Sequence, residues 1–357
     1  MVKSHQQNSI KAIGVMSGTS LDGIDIVACE FWNEGGELKF KIHFGETIEY
    51  SDKLYNKLLK SANMSGYALA NLNIEYGHKI GVEVKYFIAK NKFRPDFISS
   101  HGYTVFHEPH NGLTLQIGSG AEIAAVSGLK TICDFRTSDV ALGGHGAPLV
   151  PIGDKLLFGE YSACLNLGGF ANISFDDNNE RRAYDICPAN YLLNYLSQKL
   201  GHAFDSGGEL GQKGQVNGAL LKEMNSLEFY IKEGPKSLGR EFVEDNIFPL
   251  FDSDISIYDL LRTCYEHIVI QLSNVLDSFP NCRVLVTGGG AHNKFLIELL
   301  GSRTVAKIVI PHDDIIDYKE ALIFALLGYR RLNEEINCLS KSTGSERDNI
   351  GGAVYVN

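Results

Sequence analysis

Gly14-Val15-Met16-Ser17-Gly18-Thr19-Ser20-Leu21-Asp22-Gly23-Ile24-Asp25 decides how this chain is read. It sits between two β-branched runs, Ile10 to Val15 and Ile24 to Phe31, and so predicts a hairpin with a glycine-rich turn. Glycines let the backbone turn with its N–H groups directed at an anion, and Ser and Thr hydroxyls add donors. Asp22 and Asp25 would repel a phosphate touched directly. They make sense as outer ligands, through water, of a Mg²⁺ that itself binds the phosphates. No Gly-Lys-Ser/Thr follows, so this is not a Walker A loop. Taken alone, the stretch reads first as a tight hairpin turn with Gly and Asp at its tip.

Two later stretches repeat the theme. Asn166-Leu167-Gly168-Gly169-Phe170-Ala171-Asn172 joins the strand-like Ser162–Leu167 to the return strand Ala171–Phe175. Val286-Thr287-Gly288-Gly289-Gly290-Ala291-His292-Asn293 lies between the strand-like Arg283–Thr287 and the helical Lys294–Leu300. A helix cap needs one glycine at most, so three suggest a surface free of side chains on which a planar base or ribose can lie.

Working outward, Leu38–Phe44 alternates apolar and polar residues as a third strand, and Asp52–Ala62 and Tyr67–Ala89 read as helices. Short strands follow at Asp96–Ser100 and Leu113–Ile117, then a small-residue helix at Ala121–Ser127. The second half adds helices at Ile257–Phe279 and, last, at roughly Lys319–Asn333. Such alternation predicts an α/β protein, and 357 residues predict two domains. The expected division is 1–125 plus 336–357 for one domain and 126–335 for the other, packed around a shared cleft.

Composition narrows the partners. A formal net charge of −10 argues against nucleic acid, yet leaves room for an anionic small molecule held by backbone N–H groups. Seven scattered cysteines with no Cys-x-x-Cys pair suggest neither a zinc site nor a disulfide framework. The first residues lack the apolar stretch of a signal peptide, and no apolar run approaches a membrane span. A cytoplasmic protein with no membrane partner is expected.

In order and spacing, the three glycine turns resemble the two phosphate motifs and the adenosine motif of the superfamily of acetate and sugar kinases, heat-shock chaperones and actin. That resemblance implies an actin-like ATPase (ribonuclease H-like) fold of two domains with an interdomain active-site cleft. It also implies ATP with Mg²⁺, and an ATP-binding set of Gly18, Thr19, Ser20, Leu21, Asp22, Gly23, Ile24, Asp25, Gly168, Gly169, Gly288, Gly289 and Gly290. The small-residue stretches Gly118–Gly128 and Glu320–Gly328 fall where that superfamily has its connecting helices.

A closer resemblance is carried by longer blocks. VMSGTSLDGIDI (Val15–Ile26), SHGYTVFHEP (Ser100–Pro109), LQIGSGAEIA (Leu115–Ala124) and DFRTSDVALGGHGAPLVP (Asp134–Pro151) are four. LNLGGFANIS (Leu165–Ser174), YDICPAN (Tyr184–Asn190), PKSLGREF (Pro235–Phe242) and TGGGAHN (Thr287–Asn293) complete the set. Together they resemble the anhydro-N-acetylmuramic acid kinases. The resemblance implies hydrolytic opening of the 1,6-anhydro ring of the sugar, phosphorylation of the freed O6 from ATP, and a role in peptidoglycan recycling. A homodimer is implied as well.

On that basis Asp185 matches the catalytic base, although the residues alone favour a helix cap before Pro188 and only the resemblance reverses that. This chain has Ile186-Cys187 where many members carry Thr-Gly. Thr104 and His107 are the expected sugar contacts of the SHGYTVFHEP block, with His101 beside them, although loop histidines also bond to backbone carbonyls. Asp134 and Arg136 are further expected contacts, Arg supplying a planar fork for a carboxylate or phosphate. Their alternative is an Asp–Arg pair that holds the loop. Glu320, expected at the start of the last helix, is the remaining contact, with an exposed first-turn acid as its alternative. Two other activities stay open on the residues: a kinase of another N-acetylhexosamine, and a non-catalytic ATP-driven clamp or filament.

Overall fold

The computed structural model describes residues 9–18, 21–178, 180–231, 236–279 and 282–356. Thr19 and Ser20 of the first glycine turn, and Pro235, lie outside the described residues. The chain divides into two compact units, Met1–Leu157 with Tyr318–Asn357, and Phe158–Asp317.

The first unit carries strands β1 (Ile10–Met16), β2 (Ile24–Glu34), β3 (Glu37–Ile48), β4 (Phe97–Ser100), β5 (Tyr103–Glu108), β6 (Leu113–Ile117) and β7 (Thr131–Cys133). Its helices are α1 (Asp52–Leu59), α2 (Gly66–Asn91), α3 (Gly120–Ser127), α4 (Thr137–Ala141) and α5 (Val150–Leu157). The second unit holds β8 (Ala163–Leu167), β9 (Phe170–Asp177), β10 (Glu180–Pro188), β11 (Arg283–Thr287) and β12 (Lys307–Val309). Its helices are α6 (Asn190–Lys199), α7 (Gly218–Asn225), α8 (Glu228–Ile231), α9 (Arg240–Asn246), α10 (Ile257–Leu276) and α11 (Lys294–Arg303). Helix α12 (Asp313–Leu332) carries the chain back into the first unit, which closes with α13 (Ser340–Thr343) and β13 (Ala353–Tyr355).

The two sheets share one plan. In the first unit the order is β13-β7-β4-β1-β2-β3, and in the second β10-β9-β8-β11-β12. Each begins with an antiparallel meander of three strands, and two parallel strands then join beside the first of them. Chain rank 3-2-1-4-5, made twice, is the ribonuclease H-like pattern of the actin-like ATPases. The expected α/β class and duplicated architecture are therefore present. β13 adds an antiparallel edge to the first sheet only.

The unit boundaries fall at 157/158 and 317/318, away from the expected 125/126 and 335/336. The reason is pairing after residue 125. β7 hydrogen-bonds to β4 and to β13, which ties it to the first sheet. On α5, a Cβ at Gly153 would come within 2.5 Å of Ile323 on α12, so those two helices are packed backbone-close.

Close packing also explains other small residues. A Cβ at Gly77 of α2 would sit 2.7 Å from the Ser119 backbone, and one at Gly81 would sit 2.8 Å from Val126. The glycines of α2 thus admit α3 inside the first unit. Each unit has its own apolar core: Ile13, Ile26, Tyr76, Ile80 and Ile98 are among the buried residues of the first. Leu165, Leu193, Leu261, Ile268 and Val286 are among those of the second.

Candidate active site

The first glycine turn leaves β1 and enters β2, and Met16 pairs with Asp25 across it. Leu21 takes up the left-handed backbone at φ 62°, where a glycine would be the easier residue, and its N–H donates to the Gly18 carbonyl. Ser17 is turned inward: its hydroxyl lies 2.5 Å from the Tyr76 hydroxyl, which in turn meets that of Tyr50. Asp22 is exposed, and Asp25 accepts a hydrogen bond from the Thr47 hydroxyl at 2.6 Å.

Helix α12 crosses this strand closely. A Cβ on Gly14 would lie 2.0 Å from the Ala321 carbonyl oxygen, so only glycine lets α12 approach β1 there. Glu320 is the next residue, two turns into α12 rather than at the helix start as expected. The helix begins earlier because Asp313 and Asp314 supply favourable charge at its positive end. Burial raises the Glu320 carboxyl above its ordinary range; Lys319 and Arg136 oppose this, while Asp25 and Asp154 add to it. Lys319 itself forms a buried pair with Asp154 at 3.1 Å. The exposed first-turn acid is thus replaced by a carboxyl set among charges.

Arg136 sits at the entrance to α4. Its Nε and Nη2 donate to His101 Nε2 at 3.0 and 2.9 Å, and Nη1 donates to the Gly146 carbonyl at 2.6 Å. Burial lowers its pKa to about 10, with Glu320 the foremost opposing influence. The alternative Asp134–Arg136 pair does not form. Asp134, exposed and left-handed at φ 59°, instead accepts from the Thr137 hydroxyl at 2.5 Å in the first turn of α4.

Thr104 and His107 lie on the β5–β6 hairpin. By strict alternation residues 104 and 107 would face opposite ways. A bulge between Thr104 and Phe106 aligns them with Gln116 and Thr114, two residues apart on one strand, and so puts both on one face. Gln116 Nε2 reaches Thr104 Oγ1 at 3.4 Å, and His107 Nδ1 lies 3.1 Å from Thr114 Oγ1. The His107 pKa is lowered, first by burial and then by the charges of Arg136 and His145. Arg136, His101, His107, His145, Glu320 and Asp25 therefore share one electrostatic neighbourhood in the first unit. His145, which is not among the expected contacts, belongs to it.

In the second unit Asp185 lies on β10, at a bulge between Asp185 and Cys187. Bulges re-aim side chains next to functional sites. Asp185 Oδ2 accepts from the Leu238 N–H at 2.8 Å and from the Ser237 hydroxyl at 3.2 Å, while its own N–H donates to Lys236. Among the described residues nothing donates to Oδ1. Burial lifts the carboxyl above its ordinary range, with the Leu238 N–H and then Ser237 pulling back. Helix α6 starts at Asn190 with Ala189 as its cap residue and no side-chain cap, so Asp185 is no helix cap. Ile186 and Cys187 are buried in the core of the unit.

The other glycine turns lie in the same unit as Asp185. Gly168 and Gly169 accept through their carbonyls from the N–H groups of Ala189, Asn190 and Tyr191, which leaves the N–H groups of the turn, not those of α6, for an anion. In the triple glycine, two residues answer to packing. A Cβ at Gly288, with φ 81°, would meet Asn166 Oδ1 at 2.5 Å, and one at Gly290 would meet Leu167 at 2.7 Å. Gly289 alone has open space, its nearest atom 3.8 Å away. Asn293 then caps α11, accepting from Leu296.

The profile of the family described as anhydro-N-acetylmuramic acid kinase matches residues 10–357. The chain belongs to the anhydro-N-acetylmuramic acid kinase family. It is 34% identical over 368 residues to a protein of that name from Hydrogenovibrio crunogenus, covering 96% of this chain and 97% of the other. Similar proteins of the same name occur in Sulfurovum sp. (33%, 98% and 100% covered) and Clostridioides difficile (32%, 96% and 97% covered). Among solved structures, component A of the Acidaminococcus fermentans (R)-2-hydroxyglutaryl-CoA dehydratase aligns at TM-score 0.46 and 12% identity, over 91% and 99% of the two chains. The fold reading rests on strand order, not on that score.

Within this kinase family frame, two of the blocks recognised in the sequence meet in space: Asp185 of YDICPAN is gripped by Ser237 and Leu238 of PKSLGREF. Sequence reasoning missed the Ser237 and Leu238 grip and the Gly146 acceptor, because each contact joins residues far apart or in different loops. No group of three or more His, Cys, Asp or Glu side chains able to hold a metal occurs among the described residues. Asp22 and Asp25, hard oxygen donors beside a phosphate-type turn, fit a Mg²⁺ held mainly by phosphates and water. No described helix is long and apolar enough to cross a membrane.

Proposed function

We propose that this chain opens the 1,6-anhydro bridge of 1,6-anhydro-N-acetylmuramic acid with water and phosphorylates the released O6 from ATP, giving N-acetylmuramic acid 6-phosphate and ADP. The observation that carries the reading is Asp185, a carboxylate fixed through one oxygen, with the other unengaged among the described residues and its pKa raised. A base must be held still and kept ready to accept a proton, and burial supplies the second condition.

In this reading Asp185 Oδ1 takes the proton of the water that attacks the anomeric carbon. The departing O6 is captured by the γ-phosphoryl group in place of a general acid, otherwise as in inverting glycoside hydrolysis. Arg136, held by neutral acceptors, keeps its charge for the lactyl carboxylate. Thr104 and His107, set on one face by the β5 bulge, hold sugar hydroxyls. Glu320 orients the sugar from α12. Asp134, engaged with Thr137, shapes the loop around Arg136. Backbone N–H groups of the turns at Gly18, Asp22–Asp25 and Gly168–Gly169 bind phosphate, Leu21 closes the first turn onto Gly18, and Gly289 is the open face of the triple glycine for the nucleoside. Asp25, with Asp22 acting through water, would hold Mg²⁺, which when bound offsets phosphate charge.

The same proposal places the protein in the cytoplasm as a homodimer that recycles peptidoglycan. Light scattering should give twice the chain mass. The deciding experiment compares phosphorylation of 1,6-anhydro-N-acetylmuramic acid with that of N-acetylglucosamine in the presence of ATP and Mg²⁺. Preference for the open sugar would overturn the reading in favour of a general N-acetylhexosamine kinase.

A further inference from the structure

His101 is 4% exposed, which removes it from direct reach of a ligand. Its ring is nonetheless completely engaged. Nδ1 lies 2.8 Å from the Gly102 carbonyl, which only accepts, so Nδ1 carries the proton and Nε2 carries the lone pair. That lone pair receives both Nε and Nη2 of Arg136. The other face of the ring rests on Phe324 of α12, with centroids 4.6 Å apart. The backbone N–H of His101 donates to the Val15 carbonyl near the end of β1.

A guanidinium has five N–H groups. Three are engaged here, on His101 Nε2 twice and on the Gly146 carbonyl once. The two left belong to Nη1 and Nη2, the pair whose spacing matches the two oxygens of a carboxylate. Both partners are neutral. An Asp or Glu at position 101 would hold the arginine as firmly but would cancel its charge; an imidazole lone pair holds it and leaves the charge for a ligand.

We infer that His101 is a positioning residue that aims the Arg136 fork at an anionic carboxylate on the sugar and keeps the fork's charge uncancelled. The inference rests on the reading of Arg136 as a sugar contact. It assigns selection of a carboxylate-bearing sugar over a neutral one to a residue that never touches it.

The test uses the full-length protein and steady-state KM values for 1,6-anhydro-N-acetylmuramic acid and for ATP. His101→Phe keeps the ring volume but has no acceptor, while His101→Gln returns an acceptor near Nε2. His101→Phe should raise the sugar KM about tenfold or more and leave the ATP KM within about twofold, one lost charged hydrogen bond being worth at least that factor. His101→Gln should recover much of the sugar KM. Melting curves of both variants exclude simple unfolding as the cause, and if His101→Phe does not fold, His101→Gln is compared with His101→Ala. A wild-type sugar KM in His101→Phe, or equal rises in the sugar and ATP KM values, overturns the inference. So does a His101→Gln variant no better than His101→Phe. Arg136→Ala separates the two layers. If it raises the sugar KM while His101→Phe does not, only the positioning role falls; if it leaves the sugar KM unchanged, the reading of Arg136 falls, and this inference with it.

Discussion

Asp185 accepts through Oδ2 the backbone N–H of Leu238, 53 positions later in the chain, at 2.8 Å. A side chain held by a backbone donor cannot be released by a single side-chain change, so the carboxylate proposed as the base is held firmly while burial raises its pKa. Asp185→Asn keeps the size and an oxygen for Leu238 but cannot accept the proton. Turnover should fall by about 10²–10⁴-fold, with ATP affinity by calorimetry preserved. In the wild type, the acidic limb of kcat/KM should lie above the ordinary Asp value of 3.8, since the free carboxyl is the inactive form and its pKa is raised. Near-normal turnover in Asp185→Asn would remove Asp185 from the role.

Gly14 and Ala321 give a sharper test of how the first unit is built. Any Cβ at position 14 lands 2.0 Å from a carbonyl oxygen, and backbone cannot swing aside as a side chain can. Gly14→Ala should cost about 1–3 kcal/mol as an overpacking substitution. At about 2–4 °C per kcal/mol for a unit of this size, the first melting transition should drop by several degrees. Because Glu320 adjoins Ala321 on α12, turnover should fall too. An unchanged melting temperature would show that α12 does not press on β1.

What could be read from the sequence was what is local. The glycine turn at Gly18–Gly23 lies between β-branched runs, and the Arg283–Thr287 strand has the bounds expected of it. What escaped depends on partners distant in the chain. The bulge at Thr104–Phe106 exists because of β6, and it alone brings Thr104 and His107 to one face. Gly288 and Gly290 look like ligand glycines in sequence, yet Asn166 and Leu167, some 120 positions earlier, are what they accommodate. The early start of α12 was obscured by its acidic first turn, which suits a helix dipole but breaks the apolar period.

Asp139 is a second place where distant residues converge. Its Oδ1 accepts from Cys338, Thr343 and Asn349, and its Oδ2 from the Gly146 N–H at 2.8 Å. Burial would raise its pKa, but those four hydrogen bonds outweigh it and hold the carboxyl below its ordinary range. Asp139→Ala strands several buried donors and should destabilise the first unit by about 3 kcal/mol or more. Limited proteolysis should then cut first within 337–349, the segment that Asp139 anchors. Because Gly146 supplies one of the two acceptors for Arg136, the sugar KM should rise as well. Resistance to protease equal to wild type would show that the C-terminal segment is held by other contacts.

His267 fixes an expectation for acid stability. It is fully buried in α10, with Nδ1 2.7 Å from Asn225 Oδ1 and Nε2 3.0 Å from the Tyr230 hydroxyl. Gln271 also donates to Asn225 Oδ1, so that oxygen is an acceptor and Nδ1 carries the imidazole proton, leaving Nε2 to accept from Tyr230. A second proton would turn Nε2 into a donor facing the Tyr230 hydroxyl and place a charge in the core, and burial accordingly lowers the pKa to about 3. The unfolded chain takes up that proton near pH 6.5, so between there and pH 3 it binds more protons than the folded chain. Stability is complete above pH 6.5 and is lost as pH falls, by up to about 1.4 kcal/mol per pH unit for this one group. Urea unfolding of the wild type at pH 7.5, 6.5, 5.5 and 4.5 should show that decline, to which His101, lowered likewise to about 3, contributes in the first unit. In His267→Gln, which cannot titrate, the second unit should start less stable at pH 7.5 and lose stability less steeply. Equal slopes in the two proteins would mean that His267 is already protonated in the folded chain, and that the Tyr230 hydroxyl accepts from it.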